Sequence, residues 1–353
     1  MRRRWWLALG VGAVVVAAAA GCSTFSYYGQ AIGGHLEVMH RAEPIPQRIA
    51  DPATPPDLRA KLERVLAIRE FASRELGLPD NGSYRSYADL GRPFVVWNVF
   101  AAPEFSVEPR QSCFPIAGCV GYRGYYGQGD AEGFGAGLRK EGFDVFVYGV
   151  AAYSTLGWFD DPVLNTFIGY PEAEIARLIF HELAHRVVYV SGDTVFNESF
   201  ATAVELEGVE RWLTMNGAPQ QREAFHVAQA RKEQFLDLTG RTRERLRWLY
   251  AQEMPEHSRR AAKADVLRVM REEYRSLKES WDGFAGFDPW FEKPLNNAKL
   301  VSIAAYSDLV PAFRRMLAEK GGDLPAFYAE VKRLARLPKA ERAARLASGE
   351  PGS

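Results

Sequence analysis

Two histidines stand four residues apart in His181-Glu182-Leu183-Ala184-His185. On a helix both imidazoles leave the same face and can share one ion. Glu182 is rotated from His181 by about 100°, which places it beside that ion rather than on it. A carboxylate there can take a proton from a metal-bound water. A catalytic zinc takes three protein ligands and keeps one position open for water. The third ligand is expected from Phe196-Asn197-Glu198-Ser199-Phe200, which also reads as helical. Twelve residues separate His185 from Glu198, and Ser191, Gly192 and Asp193 supply a turn between two antiparallel helices. Glu198 then returns to the ion. The ligand set is therefore His181, His185 and Glu198, with Glu182 as general base and one Zn2+ per chain.

The elements that must hold these groups are legible from periodicity. Ile175, Leu178, Ile179 and Leu183 recur at helical spacing around the histidines, after a start at Pro171 with Glu172 and Glu174 in the first turn. Helices are expected over about 197–215, 219–252, 257–282, 296–318 and 323–337. In the first half, Leu58, Leu62, Val65, Leu66, Ile68 and Phe71 predict a helix from Asp57 that stops near Gly77-Leu78-Pro79. Phe94 to Phe100 and Phe143 to Tyr148 are β-branched and aromatic, and predict strands around a helix at about 129–140. The fold class is α+β: a small mixed N-terminal sheet with helices, then a largely α-helical C-terminal half. The expected divisions are 1–22 as a lipoprotein signal peptide, 23–56 as an extended N-terminal segment, 57–170 as an α/β subdomain with a substrate edge, 171–340 as the helical metallopeptidase subdomain, and 341–353 as a tail.

The chain has 353 residues, with Lys plus Arg and Asp plus Glu both at 44. That balance gives no electrostatic case for a nucleic-acid partner. Arg2, Arg3 and Arg4 precede an almost unbroken apolar run from Trp5 to Ala20, the layout of a secretory signal. Ala19-Ala20-Gly21-Cys22 is similar to the lipobox of bacterial lipoproteins, in which the cysteine is acylated and becomes the mature N-terminus. Cys22 is thus the expected lipid anchor, in the bacterial envelope and facing the periplasm. Ser23, where an Asp would direct inner-membrane retention, favours the outer membrane. In that oxidising compartment Cys113 and Cys119 are expected to pair, with Pro115 and Gly118 turning the chain between them; free buried thiols are the alternative. No sequence feature indicates a protein partner.

His-Glu-x-x-His followed by Asn-Glu on a second helix resembles the gluzincins, the thermolysin-like clan. Asn197-Glu198-Ser199-Phe200-Ala201 is similar to the Asn-Glu-Gly-Phe-Ala of their zinc aminopeptidase branch, and Glu205 falls where that branch also tends to have Glu. More specifically, the chain resembles a family of bacterial lipoproteins described as zinc aminopeptidases. Cys113 to Gly124, Tyr153 to Pro162, Ile179 to Glu205 and Asn296-Asn297-Ala298-Lys299-Leu300 carry the likeness. The resemblance implies thermolysin-like active-site helices and a peptide substrate. Thr202 stands where thermolysin-like enzymes have an Asp that supports a zinc histidine, so that role falls to Glu205 or Asp193. The resemblance also implies a donor to the developing oxyanion from the C-terminal helices. Tyr306 is the candidate, with Tyr153, Tyr125 and Tyr126 as competitors.

The function expected is a membrane-anchored zinc metallopeptidase, an aminopeptidase by resemblance. Gly149 to Gly157 has small residues at a strand edge where a peptide can add as a further strand. The stretch Val150 to Leu156 lacks the Glu with which related aminopeptidases hold the substrate amine. An endopeptidase or amidase with the same site is therefore one alternative. A non-catalytic zinc-binding envelope lipoprotein is the other.

Overall fold

A computed structural model describes residues 27–114, 118–152, 155, 159–304 and 309–348. Cys22, Tyr153 and Tyr306 lie outside the described residues. In chain order, helix α1 (27–40) leads to strand β1 (Glu43–Pro44), α2 (Ile45–Ala50), α3 (Pro56–Arg74), β2 (Ser86–Ala88) and β3 (Val96–Pro103). Next come β4 (Ser112–Phe114), β5 (Gly118–Val120), β6 (Tyr122–Tyr125), α4 (Gln128–Lys140), β7 (Phe143–Val150) and β8 (Val163–Leu164). The remainder is helical: α5 (Glu172–His185), α6 (Thr194–Asn216), α7 (Pro219–Tyr250), α8 (Glu256–Ser280), α9 (Asp288–Glu292), α10 (Asn297–Ala304), α11 (Val310–Glu319), α12 (Leu324–Ala335) and α13 (Lys339–Ser348). The fold is α+β, as the alternation of patterns predicts. Among the described residues no helix is long and apolar enough to cross a membrane.

Sheet order β6-β3-β7 is antiparallel throughout, whereas β1-β2-β8 contains a parallel pair between β2 and β8. The larger sheet follows the two-residue period of a pleated strand. Trp97, Val99 and Ala101 turn to one face with Val145 and Val147 and pack on Ala131 and Leu138 of α4. Phe100 and Ala102 turn to the other, with Tyr122, Phe146 and Tyr148, and pack on the helices of the second half. Asn297 pins α10 to this sheet: its side chain donates to the carbonyls of Pro103 (3.0 Å) and Glu104 (2.9 Å) and accepts from the Tyr250 hydroxyl (2.9 Å). The Asn296 side chain donates to the Val145 carbonyl at 3.1 Å. Thus the Asn-Asn-Ala-Lys-Leu motif is an anchor between the sheet and the helical half.

Three elements differ from expectation. Residues 27–40 are helical rather than extended, because Tyr27, Gln30, Gly34 and Val38 recur along one face that packs inward. Within the helix expected at 296–318, the described residues form α10 and α11, and Leu309 is the N-cap of the second. Residues 339–348, within the expected C-terminal tail for most of their length, form α13, which buries Leu346 and Arg342.

Cys113 and Cys119 are bonded and face each other as register partners of β4 and β5. Gly118, the first residue of β5, lies against the loop between α5 and α6. Gly118 has φ +73°, and a Cβ there would fall 2.7 Å from the Gly192 nitrogen. Replacing both cysteines with serine should lower stability by about 2 kcal/mol, the loop-closure value for so short a ring. Urea unfolding would read the loss, and a reducing agent should reproduce it in the wild type while leaving the variant unmoved.

Candidate metal centre

Helix α5 begins after Pro171 with Glu172 and Glu174 in its first turn and ends at His185. Its inner stripe of Ile175, Ile179, Phe180 and Leu183 is buried in the main core. Helix α6 runs back along it. Their close approach depends on Gly208, where an added Cβ would sit 2.6 Å from the Phe180 ring and 2.7 Å from Leu76. The carbonyl end of α5 favours positive charge and the amide end of α6 favours negative charge. His185 closes α5, at the end that favours a bound cation, while Glu198 is the fifth residue of α6 and lies past its first turn.

The loop joining the helices is held by the residue before Glu198. Asn197, 1% exposed, accepts from the Val190 amide (2.8 Å) and donates to the Val190 carbonyl (2.8 Å). Asp193 caps α6 by accepting from the Phe196 amide at 3.4 Å. Its other oxygen accepts from buried Arg342 of α13 at 2.5 and 3.1 Å. Ser199 is fully buried, and its hydroxyl accepts from the Leu309 amide at 3.2 Å. Glu198 thus sits between two anchors in sequence. Asn197→Ala should cost about 1–3 kcal/mol through two orphaned backbone groups. The expected readout is a lower urea midpoint at unchanged slope, with a matching loss of metal affinity.

Three expected ligands converge. His181 Nε2 lies 3.2 Å from Glu198 Oε2 and 3.2 Å from His185 Nε2, and His185 Nε2 lies 3.7 Å from Glu198 Oε1. One ligand atom from each falls within 4.8 Å of the others. A tetrahedral zinc with bonds of 2.0–2.1 Å separates neighbouring ligands by about 3.3 Å. The donor set and its spacing fit such an ion, and a metal can bind here.

Behind these residues runs a charge chain with a buried acid at its centre. Glu205, 1% exposed, accepts from His181 Nδ1 at 2.7 Å. Arg177 Nη1 donates to both Glu205 oxygens at 3.2 Å, and its Nε donates to Glu174 at 2.8 Å. Burial disfavours ionised Glu205, but Arg177 and His181 outweigh it and hold the carboxyl well below the usual range. Burial likewise disfavours a charged His181, yet the hydrogen bonds to Glu198 and Glu205 prevail and raise its proton affinity. In the ligating form, Nδ1–H donates to Glu205 and leaves the Nε2 lone pair for the metal. His185 differs. Burial, with His181 beside it, pushes it down to about 4, so it stays neutral. Its Nδ1 has no hydrogen-bond partner among the described residues.

Glu182 occupies the position beside the ligands. Burial raises its carboxyl to about 7, with Glu198, Asp161 and Glu205 adding to the effect and His181 opposing it. That value suits a group that must both accept and return a proton near neutrality.

The two offered supports for a histidine separate cleanly. Glu205 serves His181, while Asp193 caps α6 and pairs with Arg342. Sequence reasoning missed Arg177, although a cation four residues before His181, on the same helix face, was a signal. It also missed Tyr122. Burial raises this hydroxyl, and the charges of Glu198 and Glu182 raise it further, so both carboxylates lie within electrostatic reach of it. Strand β6 is remote in sequence and carried no mark of this. Tyr125, one of the expected competitors, instead packs in the cluster on the α4 face.

A protein-family model described as "Putative aminopeptidase" matches residues 26–346. No curated protein and no solved structure matches the chain.

Proposed function

This chain belongs to that aminopeptidase family, and we propose that it is a zinc metallopeptidase removing residues from the amino end of peptides, held by a lipid on Cys22 at the periplasmic face of the bacterial outer membrane. The observation that carries the reading is the convergence of His181, His185 and Glu198 with Glu205 buttressing the first histidine. The contact of α5 with α6, which brings these residues together, supports the reading.

Zinc held by these residues would supply an acidified water and a positive charge beside the scissile carbonyl. Glu182 takes the proton from the attacking water and delivers it to the departing amine. Its burial keeps it basic enough for the first step and acidic enough for the second. Strand β7 is an edge of its sheet among the described residues, so an extended peptide can align beside it. The hydroxyl that stabilises the developing oxyanion is assigned to Tyr306, with Tyr122 as the second candidate because it feels both Glu182 and Glu198.

One observation favours an endopeptidase instead: Val150 to Leu156 has no carboxylate to hold a free amine. Purified protein should contain about one zinc per chain, the stoichiometry of a three-ligand catalytic site. It should cleave unblocked peptides faster than their N-acetylated forms. Zinc-free wild type would overturn the metallopeptidase reading. Preference for the acetylated peptide would move the enzyme to the endopeptidase class. Glu198→Ala should lose most of the metal; wild-type zinc content in that variant would remove Glu198 from the ligand set.

A further inference from the structure

Helix α1 turns an uncharged face to the surface. Tyr28, Ile32 and Leu36 follow at four-residue spacing and form one stripe, with Gly29 and Gly33 beside it. Ile32 is 60% exposed and Leu36 58%. From Tyr27 to Leu36 the helix contains no Asp, Glu, Lys or Arg. A surface helix ordinarily places its polar residues on this side, so exposure of the apolar stripe calls for a partner. The inner side is already committed. Tyr27 packs on Phe114 and Tyr125, the Gln30 side chain accepts from the Tyr126 amide, and Val38 enters the main core. The helix's one acid, Glu37, is neutralised by Arg41 and Arg92. Phe159, 47% exposed, lies against His35 and adds a ring near the patch.

The sequence upstream identifies the partner. Cys22 stands six residues before Tyr28. Fully extended, that link spans only about 20 Å. A protein acylated at Cys22 therefore keeps the start of this stripe within a short reach of lipid. An acyl tether fixes position but not orientation. An amphipathic helix in the interfacial layer, sunk about 5–10 Å, fixes both.

We propose that the Tyr28–Ile32–Leu36 face of α1 lies in the interfacial layer of the phospholipid bilayer and sets the enzyme's orientation on it. The inference rests on the lipid-anchor reading of Cys22. Its test uses the full chain in vesicles of phosphatidylethanolamine and phosphatidylglycerol, with a fluorophore on Ile32→Cys and, as controls, on Met215→Cys or Trp248→Cys. Those control positions are exposed on α6 and α7. A lipid-borne quencher near the headgroups should quench the probe at 32 several-fold more strongly than the controls. The difference should disappear when Tyr28→Asp and Leu36→Asp are added. Equal quenching at all positions would overturn the proposal. So would a probe at 32 that is shielded from aqueous iodide yet not quenched by the lipid, since a second copy or the chain's own Trp5–Ala20 segment would then cover the face.

Incorporation of an alkynyl fatty acid, with Cys22→Ser as control, separates this result from the anchor reading. Acylation without quenching at 32 removes the docking alone. Quenching at 32 without acylation keeps the docking and removes the anchor. Neither signal removes both.

Discussion

Glu182→Gln should keep about one zinc per chain, the content of the three-ligand site, and lose activity by about 10²–10⁴-fold in kcat, the usual contribution of a general base and acid. Glutamine matches glutamate in shape, so α5 and the ligands on it are undisturbed. What disappears is the proton acceptor. Glu182 is not among the three converging ligands, so metal content and activity should separate. A glutamine variant as active as wild type would mean that another group moves the proton. A metal-free variant would mean that Glu182 is itself a ligand.

The pH profile offers a second reading of the same residue. The base must be ionised, so kcat/KM should rise with pH and level off above its pKa. Burial and neighbouring carboxylates place that group at about 7, and a bound cation lowers it further. The acid limb should therefore lie at or below neutrality. In the glutamine variant the limb should vanish from the residual activity.

The site was legible where its chemistry is local. His181, Glu182 and His185 share two turns of one helix, so spacing alone places them. Glu198 was legible because the turn is short and the second segment has its own helical pattern. Its neighbour Asn197 shows why the pair occurs together: the asparagine closes the loop that delivers the glutamate. Groups that reach the site through tertiary packing were not legible. Tyr122 comes from a strand some sixty residues before Glu182, and nothing in Tyr-Arg-Gly-Tyr tells which ring comes within electrostatic reach of Glu182 and Glu198. Arg342 steadies the start of α6 from a segment whose composition reads as a solvated tail. Helix α1 misled for the opposite reason. Its tyrosines and glycines have poor helix propensity, and packing against β6 and the core decides its conformation.

Glu205→Gln should weaken zinc binding by about 10–100-fold, the range for losing a residue that orients a metal-bound imidazole. The same change should lower stability by about 1–3 kcal/mol, because it replaces the charged acceptor of a partly buried arginine by a neutral amide. Two effects are mixed there, and their causes differ. Metal affinity depends on the 2.7 Å contact to His181 Nδ1, which fixes the tautomer and turns Nε2 toward Glu198. Stability depends on Arg177, whose two 3.2 Å bonds to Glu205 would face an amide instead of a carboxylate. Adding Arg177→Met to Glu205→Gln removes the cation that has lost one of its two carboxylate partners and keeps Glu174. The double variant should thus recover part of the stability, giving a coupling energy of about 1–3 kcal/mol in a double-mutant cycle. It should recover none of the zinc affinity, since no carboxylate returns to His181. Calorimetric unfolding and a competitive zinc titration measure the two quantities separately. If Glu205→Gln alone binds zinc like the wild type, Glu205 is only the counter-ion of Arg177, and packing within α5 suffices to orient the imidazole.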